Sequence, residues 1–182
     1  MRNKTAQKWR KMEIEICILD WIQSIRTPVG DMVMPFITRI GNIGAVWILL
    51  AVVLLIIPKT RKSGAVLAAA LCVDVVLCNG ILKNLFGRIR PCDVNTSVQL
   101  LITRPDDFSF PSGHTAASFA AVTALMMAGE QKLWKPALAL AVLIAFSRLY
   151  LYVHYPTDIL GGMIVGGAAG VIGYLAVGRF KK

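Results

Sequence analysis

The chain has 182 residues, 56% of them hydrophobic and 16% charged, and a net charge of +10. Soluble domains carry about 25% charged residues, so this composition and the mean hydropathy of +0.63 argue against a disordered chain, a disulfide scaffold and an ordinary soluble domain. They favour an integral membrane protein, in which excess positive charge points to cytoplasmic loops and anionic headgroups rather than to nucleic acid.

The first 39 residues form a basic N-terminal part. Arg2 to Lys11 lacks the long apolar core of a secretory signal. From Met12 to Ile25, Ile14, Ile18, Trp21, Ile22 and Ile25 recur at three- and four-residue steps with Glu13, Glu15 and Asp20 between them. That spacing predicts an amphipathic helix lying in the membrane interface. Residues 40–178 read as the transmembrane core. The uncharged run Ile40 to Pro58 predicts a first span, stopped by Lys59, Arg61 and Lys62. Further spans are predicted from Gly64 to Leu82, from about Gly113 to Gly129, from Pro136 to Tyr152 and from Ile159 to Gly178. The predicted fold class is therefore all-α: a polytopic bundle of about five transmembrane helices plus the N-terminal interfacial helix.

Three details refine this picture. Asp74 interrupts the second span and should face the bundle, where it packs helices. Gly161, Gly162, Gly166, Gly167 and Gly170 suit close helix contact, within the bundle or between subunits. The four cysteines, Cys17, Cys72, Cys78 and Cys92, form no CxxC pair, and no metal site is predicted.

The chemistry lies in the polar residues at the helix ends. The two histidines, His114 and His154, each sit between an apolar helix and a polar loop, and either alone would pass as an interface residue. Their neighbours say more. In Pro111-Ser112-Gly113-His114, Pro111 and Gly113 shape a turn and Ser112 is a good N-cap. The helix N-terminus that follows suits a phosphate. Asp158 lies four residues after His154 and could fix its tautomer. Arg148 precedes His154 by six residues, near the same membrane face. Lys83 and Arg90 are seven apart, about two helical turns, and can share one helix face. With Arg148 they would clamp a phosphate. Arg88 points away from that pair and reads as a juxtamembrane cation on anionic lipid. The long segment Cys92 to Phe110, with Leu100, Leu101 and Ile102, reads as a lid or an interfacial segment that could touch the lipid tail.

Together these clusters resemble the signature of the type 2 phosphatidic acid phosphatase superfamily of integral membrane lipid phosphatases. Its pattern is Lys, six residues, Arg-Pro; then Pro-Ser-Gly-His; then Ser-Arg, five residues, His, three residues, Asp. Lys83, Arg90-Pro91, Pro111 to His114, Ser147-Arg148, His154 and Asp158 fill it at the family's spacing. The resemblance covers roughly Ile40 to Gly178. It implies one membrane-embedded phosphatase domain. It further implies that His154 attacks phosphorus to give a phosphohistidine, that Asp158 orients it, and that His114 protonates the leaving oxygen and then activates water. Lys83, Arg90, Arg148, Ser112 and Gly113 would hold the phosphate oxygens, with no metal and no cofactor. The implied partners are membrane lipids and a lipid phosphate of the undecaprenyl diphosphate, phosphatidylglycerol phosphate or phosphatidate type. A phosphotransferase using the same residues, or a lipid-binding scaffold without activity, are the other readings. Vanadate-dependent haloperoxidases share the site pattern, but the apolar spans speak against them.

Span alternation puts all three clusters at one membrane face. The opposite loops and C-terminus carry Lys59, Arg61, Lys62, Lys132, Lys135, Arg179, Lys181 and Lys182. These loops predict an extracytoplasmic site. The seven cations from Arg2 to Arg39 count the other way, and the loops together with the family habit decide the expectation.

Overall fold

Helix-forming stretches follow one another with short breaks marked by Pro, Gly or a capping side chain, except for the long non-helical segment 95–112. The computed structural model describes the backbone of residues 2–179 and the side chains of 13–178, so the basic N-terminal side chains, Arg179 and the terminal lysines lie outside it. The elements are α1 (Arg2–Ser24), α2 (Pro28–Ile40), α3 (Ala45–Ile56), α4 (Arg61–Asp74), α5 (Lys83–Phe86), α6 (Pro91–Val94), α7 (Gly113–Met127), α8 (Trp134–Tyr150) and α9 (Pro156–Arg179). A π-helical stretch, Val75–Leu82, joins α4 to α5. No strand occurs among the described residues.

The predicted first span is placed differently. Thr27 caps α2, its Oγ1 accepting from the Gly30 amide at 3.1 Å, and Pro28 fits the first turn. The chain then turns through Ile43 (φ 50°) and Gly44 (φ 67°), and α2 and α3 are bent by 45°. At 1.5 Å per residue α3 is about 18 Å long, short of the ~30 Å hydrocarbon core. The bent pair together has the length and hydropathy of one span; Arg61–Val94 and Pro156–Gly178 meet that standard directly. α7 and α8, with 15 and 17 residues, are shorter. The uncharged run contains the apolar α3 and leaves out all but the last residue of α2, the capped helix before it.

α7 is the central helix, with Ala116, Ala120, Ala124 and Leu125 fully buried. Its small side chains let α9 approach closely. A Cβ on Gly166 would lie 2.1 Å from the Ala116 carbonyl oxygen, and one on Gly170 2.5 Å from Thr123. Gly173 is equally tight against Ala70 of α4. The glycines at 166 and 170 therefore serve contact within the bundle, as expected where packing and not water drives association. Gly167 is the exception, with nothing nearer than 4.0 Å. Asp74 is buried in the bundle and its Oδ1 has no hydrogen-bond partner. All four cysteines are free thiols.

α1 is a helix, as its spacing predicts, and most of its apolar stripe faces outward. Ile14, Ile18, Trp21 and Ile25 are exposed, while Leu19 and Ile22 pack against Tyr150 to Tyr155. Gln23 donates to the Tyr150 carbonyl at 2.8 Å, and the Tyr152 hydroxyl donates to Asp20 at 2.7 Å. Glu15, a polar member of the helix, is buried in the same contact.

Candidate active site

The three polar clusters meet at one cleft of about 660 Å³. Lys83, Arg90, Gly113, His114, Arg148 and His154 line it, together with Thr38 and Asn42 from the N-terminal side, Leu100 to Pro105, and Asp107. The segment before α7 thus borders the cleft, and its Leu100, Leu101 and Ile102 also pack on the Tyr150–Tyr155 core.

Lys83 and Arg90 do not share one helix face. The helix ends at Gly87, whose φ of 52° is left-handed and whose amide closes the turn on the Lys83 carbonyl at 3.0 Å. Arg90 is then extended and precedes Pro91 at the start of α6. Both side chains are buried, and they converge through this turn. The π-helical stretch just before Lys83 is a geometry found mostly at functional sites. Gly113 opens α7 beside them: a Cβ there would lie 3.2 Å from Asn79 Oδ1 and 3.9 Å from Lys83 Nζ.

His154, between α8 and α9, has contrasting neighbours on its two nitrogens. A guanidinium can only donate, so Arg90 Nη1, 3.1 Å from Nε2 and also bonded to the Val153 carbonyl at 2.7 Å, makes Nε2 the acceptor. The proton then sits on Nδ1, which faces Asp158 Oδ2 at 3.4 Å and Ser109 Oγ at 3.5 Å. Burial first, then Arg90 and Arg148, push the His154 pKa well below the usual histidine range, so the ring is neutral. Asp158 is fully buried; its Oδ2 accepts from Ser109 Oγ at 2.5 Å and from the Tyr155 amide at 2.9 Å. The 3.4 Å separation from His154 is longer than a hydrogen bond, and such contacts tighten when substrate is bound.

His114, in the first turn of α7, pairs its Nε2 with Asn42 Oδ1 at 2.9 Å. Arg148 is buried, with Nη1 bonded to Thr38 Oγ1 and with Nε lacking a partner. Ser112 departs from expectation. It occupies the N-cap position, but its side chain makes no cap bond. It is fully buried, accepts from Thr115 Oγ1 at 3.0 Å and is absent from the cleft wall. Its amide instead ties α7 to the Asp158 carbonyl at 3.1 Å.

Five residues were not expected at the site. Asp107 bridges the cations: its Oδ2 pairs with Lys83 and its Oδ1 with Arg90 Nη2 at 2.5 Å. Burial opposes that charge, but Lys83 and Arg90 outweigh it and lower its pKa to about 2. Arg88 does not face lipid. Its Nη1 donates to Asp158 Oδ1 at 2.6 Å and its Nη2 to Glu15 Oε2 at 2.5 Å. Asn42 and Thr38 approach from the α2–α3 region. Nearness to Arg90 and to Pro111 could have flagged Arg88 and Asp107; nothing local flags Glu15, Asn42 or Thr38. Among the described residues, no three His, Cys, Asp or Glu side chains are grouped to hold a metal ion.

A family model described as the PAP2 superfamily matches residues 62–182. The chain belongs to the PAP2 superfamily. It is 32% identical over 133 residues to an undecaprenyl-diphosphatase of Sulfolobus acidocaldarius, covering 73% of this chain and 64% of that enzyme, so slightly under two thirds of the relative's length is spanned. It is 32% identical over 147 residues to undecaprenyl-diphosphatase BcrC of Bacillus subtilis, covering 81% of this chain and 73% of the relative. Its fold matches a crystal structure of a transmembrane PAP2 type phosphatidylglycerolphosphate phosphatase from Bacillus subtilis. That match has a TM-score of 0.75 at 25% identity and covers 95% of this chain and 89% of the other. The fold is thus the helical one of membrane PAP2 phosphatases, and the named relatives are lipid phosphatases.

Proposed function

We propose that this protein is a multi-pass membrane phosphatase that removes phosphate from a lipid phosphomonoester or diphosphate. The carrying observation is the environment of His154: a neutral ring with its Nε2 lone pair toward a cleft of buried cations, and a buried carboxylate behind Nδ1. Five crossings are the proposed topology, with α2 and α3 forming the first and α7 and α8 the short central ones. The site then opens on the extracytoplasmic face, and α1 lies in the interface.

In the proposed reaction the substrate phosphate enters between Lys83, Arg90 and Arg148 and takes the place that the Asp107 carboxylate holds. Nε2 of His154 forms a bond to phosphorus as the bond to the lipid oxygen breaks. Once the phosphate dianion lies beside it, His114 takes up a proton from solvent and gives it to that oxygen. The imidazole becomes cationic on phosphorylation, and Asp158 balances that charge. Water then attacks the phosphohistidine, His114 takes its proton, and phosphate leaves. Three cations and the α7 N-terminus supply the charge that a metal supplies in other phosphoryl transfers. Undecaprenyl diphosphate leads the substrate candidates, supported by the names of the relatives; phosphatidylglycerol phosphate and phosphatidate follow.

The test is phosphate release by the detergent-purified protein with EDTA present, from those three lipids in turn, alongside His154→Ala. Release from one lipid that survives EDTA and vanishes in the variant is the expected result. No release from any of them, with release only when a lipid or sugar acceptor is added, would favour the phosphotransferase reading instead.

A further inference from the structure

The carboxylate behind His154 is itself held from the N-terminal helix, which lies outside residues 62–182 of the family match. Glu15 of α1 accepts three hydrogen bonds, two from the start of α9 and one from Arg88. Its Oε1 takes the Thr157 amide at 3.1 Å and the Thr157 hydroxyl at 2.6 Å, and its Oε2 takes Arg88 Nη2 at 2.5 Å. Arg88 Nη1 in turn donates to Thr157 Oγ1 and to Asp158 Oδ1, both at 2.6 Å. The guanidinium carbon sits 3.9 Å above the Tyr155 ring centre, which fixes the plane of the fork. An unbroken line of charged hydrogen bonds therefore runs from Glu15 through Arg88 to Asp158, and Asp158 faces His154.

We propose that Glu15 and Arg88 are positioning residues for the nucleophile: the pair locks Asp158 in place and sets the net charge behind His154. The proposal rests on the phosphohistidine reading given above. Charge counting explains why two residues are used. A buried carboxylate without a partner is costly, and Arg88 compensates Asp158. Yet an Arg88–Asp158 pair alone is neutral and would do little for a cationic phosphoimidazole. Glu15 returns the group to a net charge of −1, the value that favours the charge formed on His154. Lysine could not replace Arg88, because the two acidic partners and Thr157 are met by a flat fork.

A purely structural role for Glu15 makes a different forecast. α1 is also anchored by Leu19, Ile22, the Gln23–Tyr150 bond and the Tyr152–Asp20 bond. Docking therefore does not depend on Glu15, and Asp20→Asn serves as a control that weakens the anchor without touching the line of charges. The variants are Glu15→Gln, Arg88→Gln, the double variant and Asp20→Asn, each purified in detergent and assayed for phosphate release from the lipid that the wild type hydrolyses. Glu15→Gln should lower kcat tenfold or more with KM within twofold. The double variant, which restores the net −1 on Asp158, should be faster than Glu15→Gln alone. Asp20→Asn should stay within twofold of wild type. A kcat for Glu15→Gln within twofold of wild type would overturn the proposal, and so would equal losses in Glu15→Gln and Asp20→Asn, or a double variant slower than both singles.

A second readout needs no turnover. The chain has two histidines, so selective ¹⁵N labelling resolves both rings. The groups facing His154 from the other elements (Lys83, Arg90, Asp107 and Arg148) are the same in every variant. The Nδ1 and Nε2 signals of His154 should therefore move in opposite senses in Glu15→Gln and Arg88→Gln, return in the double variant and hold still in Asp20→Asn. Unmoved signals in both single variants overturn the positioning role even if the protein hydrolyses no lipid. A protein inactive on every lipid but showing these opposed shifts would instead overturn the phosphatase reading and leave the positioning line standing.

Discussion

The two nitrogens of His154 look onto two carboxylates in opposite settings, one half-exposed and one fully buried. On the Nε2 side, Asp107 sits on a loop with its side chain 48% exposed, gripped by Lys83 and Arg90. On the Nδ1 side, Asp158 is 0% exposed on the first turn of α9, gripped by Arg88, Ser109 and the Tyr155 amide. Each carboxylate neutralises cations, but only the first is open to solvent. In the proposed reaction the first is the anion that substrate displaces, and the second is the anion that remains throughout. Removing a carboxylate on one side should therefore help binding, and on the other side abolish chemistry.

The largest effect is expected on the closed side. Asp158→Asn keeps the shape but loses the charge, and should lower kcat on the order of 10³–10⁴-fold, the scale seen when a histidine loses its orienting carboxylate. Steady-state phosphate release at saturating lipid reads it directly. Next comes His114→Ala, which removes the proton donor and should cost about 10²–10⁴-fold in kcat. A substrate with a good leaving group, such as a nitrophenyl phosphate, should recover part of that loss, because it needs no proton on the departing oxygen.

On the open side, Lys83→Met removes one charge-assisted contact to phosphate, worth about 1.5–3 kcal/mol, or roughly 10–150-fold in kcat/KM. The smallest effect, and the one of opposite sign, belongs to Asp107→Asn: KM should fall severalfold and inorganic phosphate should inhibit more strongly. With the Asp107 pKa lowered to about 2, the carboxylate is ionised throughout any workable assay range. Its competition with phosphate is lost only as pH falls through that value, so the KM difference between wild type and Asp107→Asn should be flat from about pH 5 to 9. A KM that rises in Asp107→Asn would make Asp107 part of the substrate site and dissolve the contrast between the two sides.

Much of this site is legible in the sequence because the signature residues sit at helix ends, and helix ends of alternating spans gather at one face. His114, His154, Arg148, Lys83 and Arg90 line one cleft as that counting requires. What is not legible depends on where the chain bends. The left-handed turn at Gly87, and not a shared helix face, brings Arg90 to Lys83. The same turn sends Arg88 toward Asp158, which a helical wheel places away from the site. The break at Ile43 and Gly44 divides the first apolar run and delivers Asn42 to His114. Ser112 has the right type for a cap, but Thr115 is a nearer partner inside a tightly packed helix pair. In α1 most of the apolar stripe is outward, as an interfacial helix requires, but nothing in its spacing says that Leu19, Ile22 and the polar Glu15 make the inward contact.

The most direct test of the central claim is to look for phosphate on His154. Wild-type protein would be mixed with ³²P-labelled lipid phosphate, quenched in alkali within the first turnover and digested. The account predicts an alkali-stable, acid-labile label on the peptide that contains His154, and none in His154→Ala. Full turnover by the wild type with no labelled peptide at any quench time, together with activity retained in His154→Ala, would contradict it.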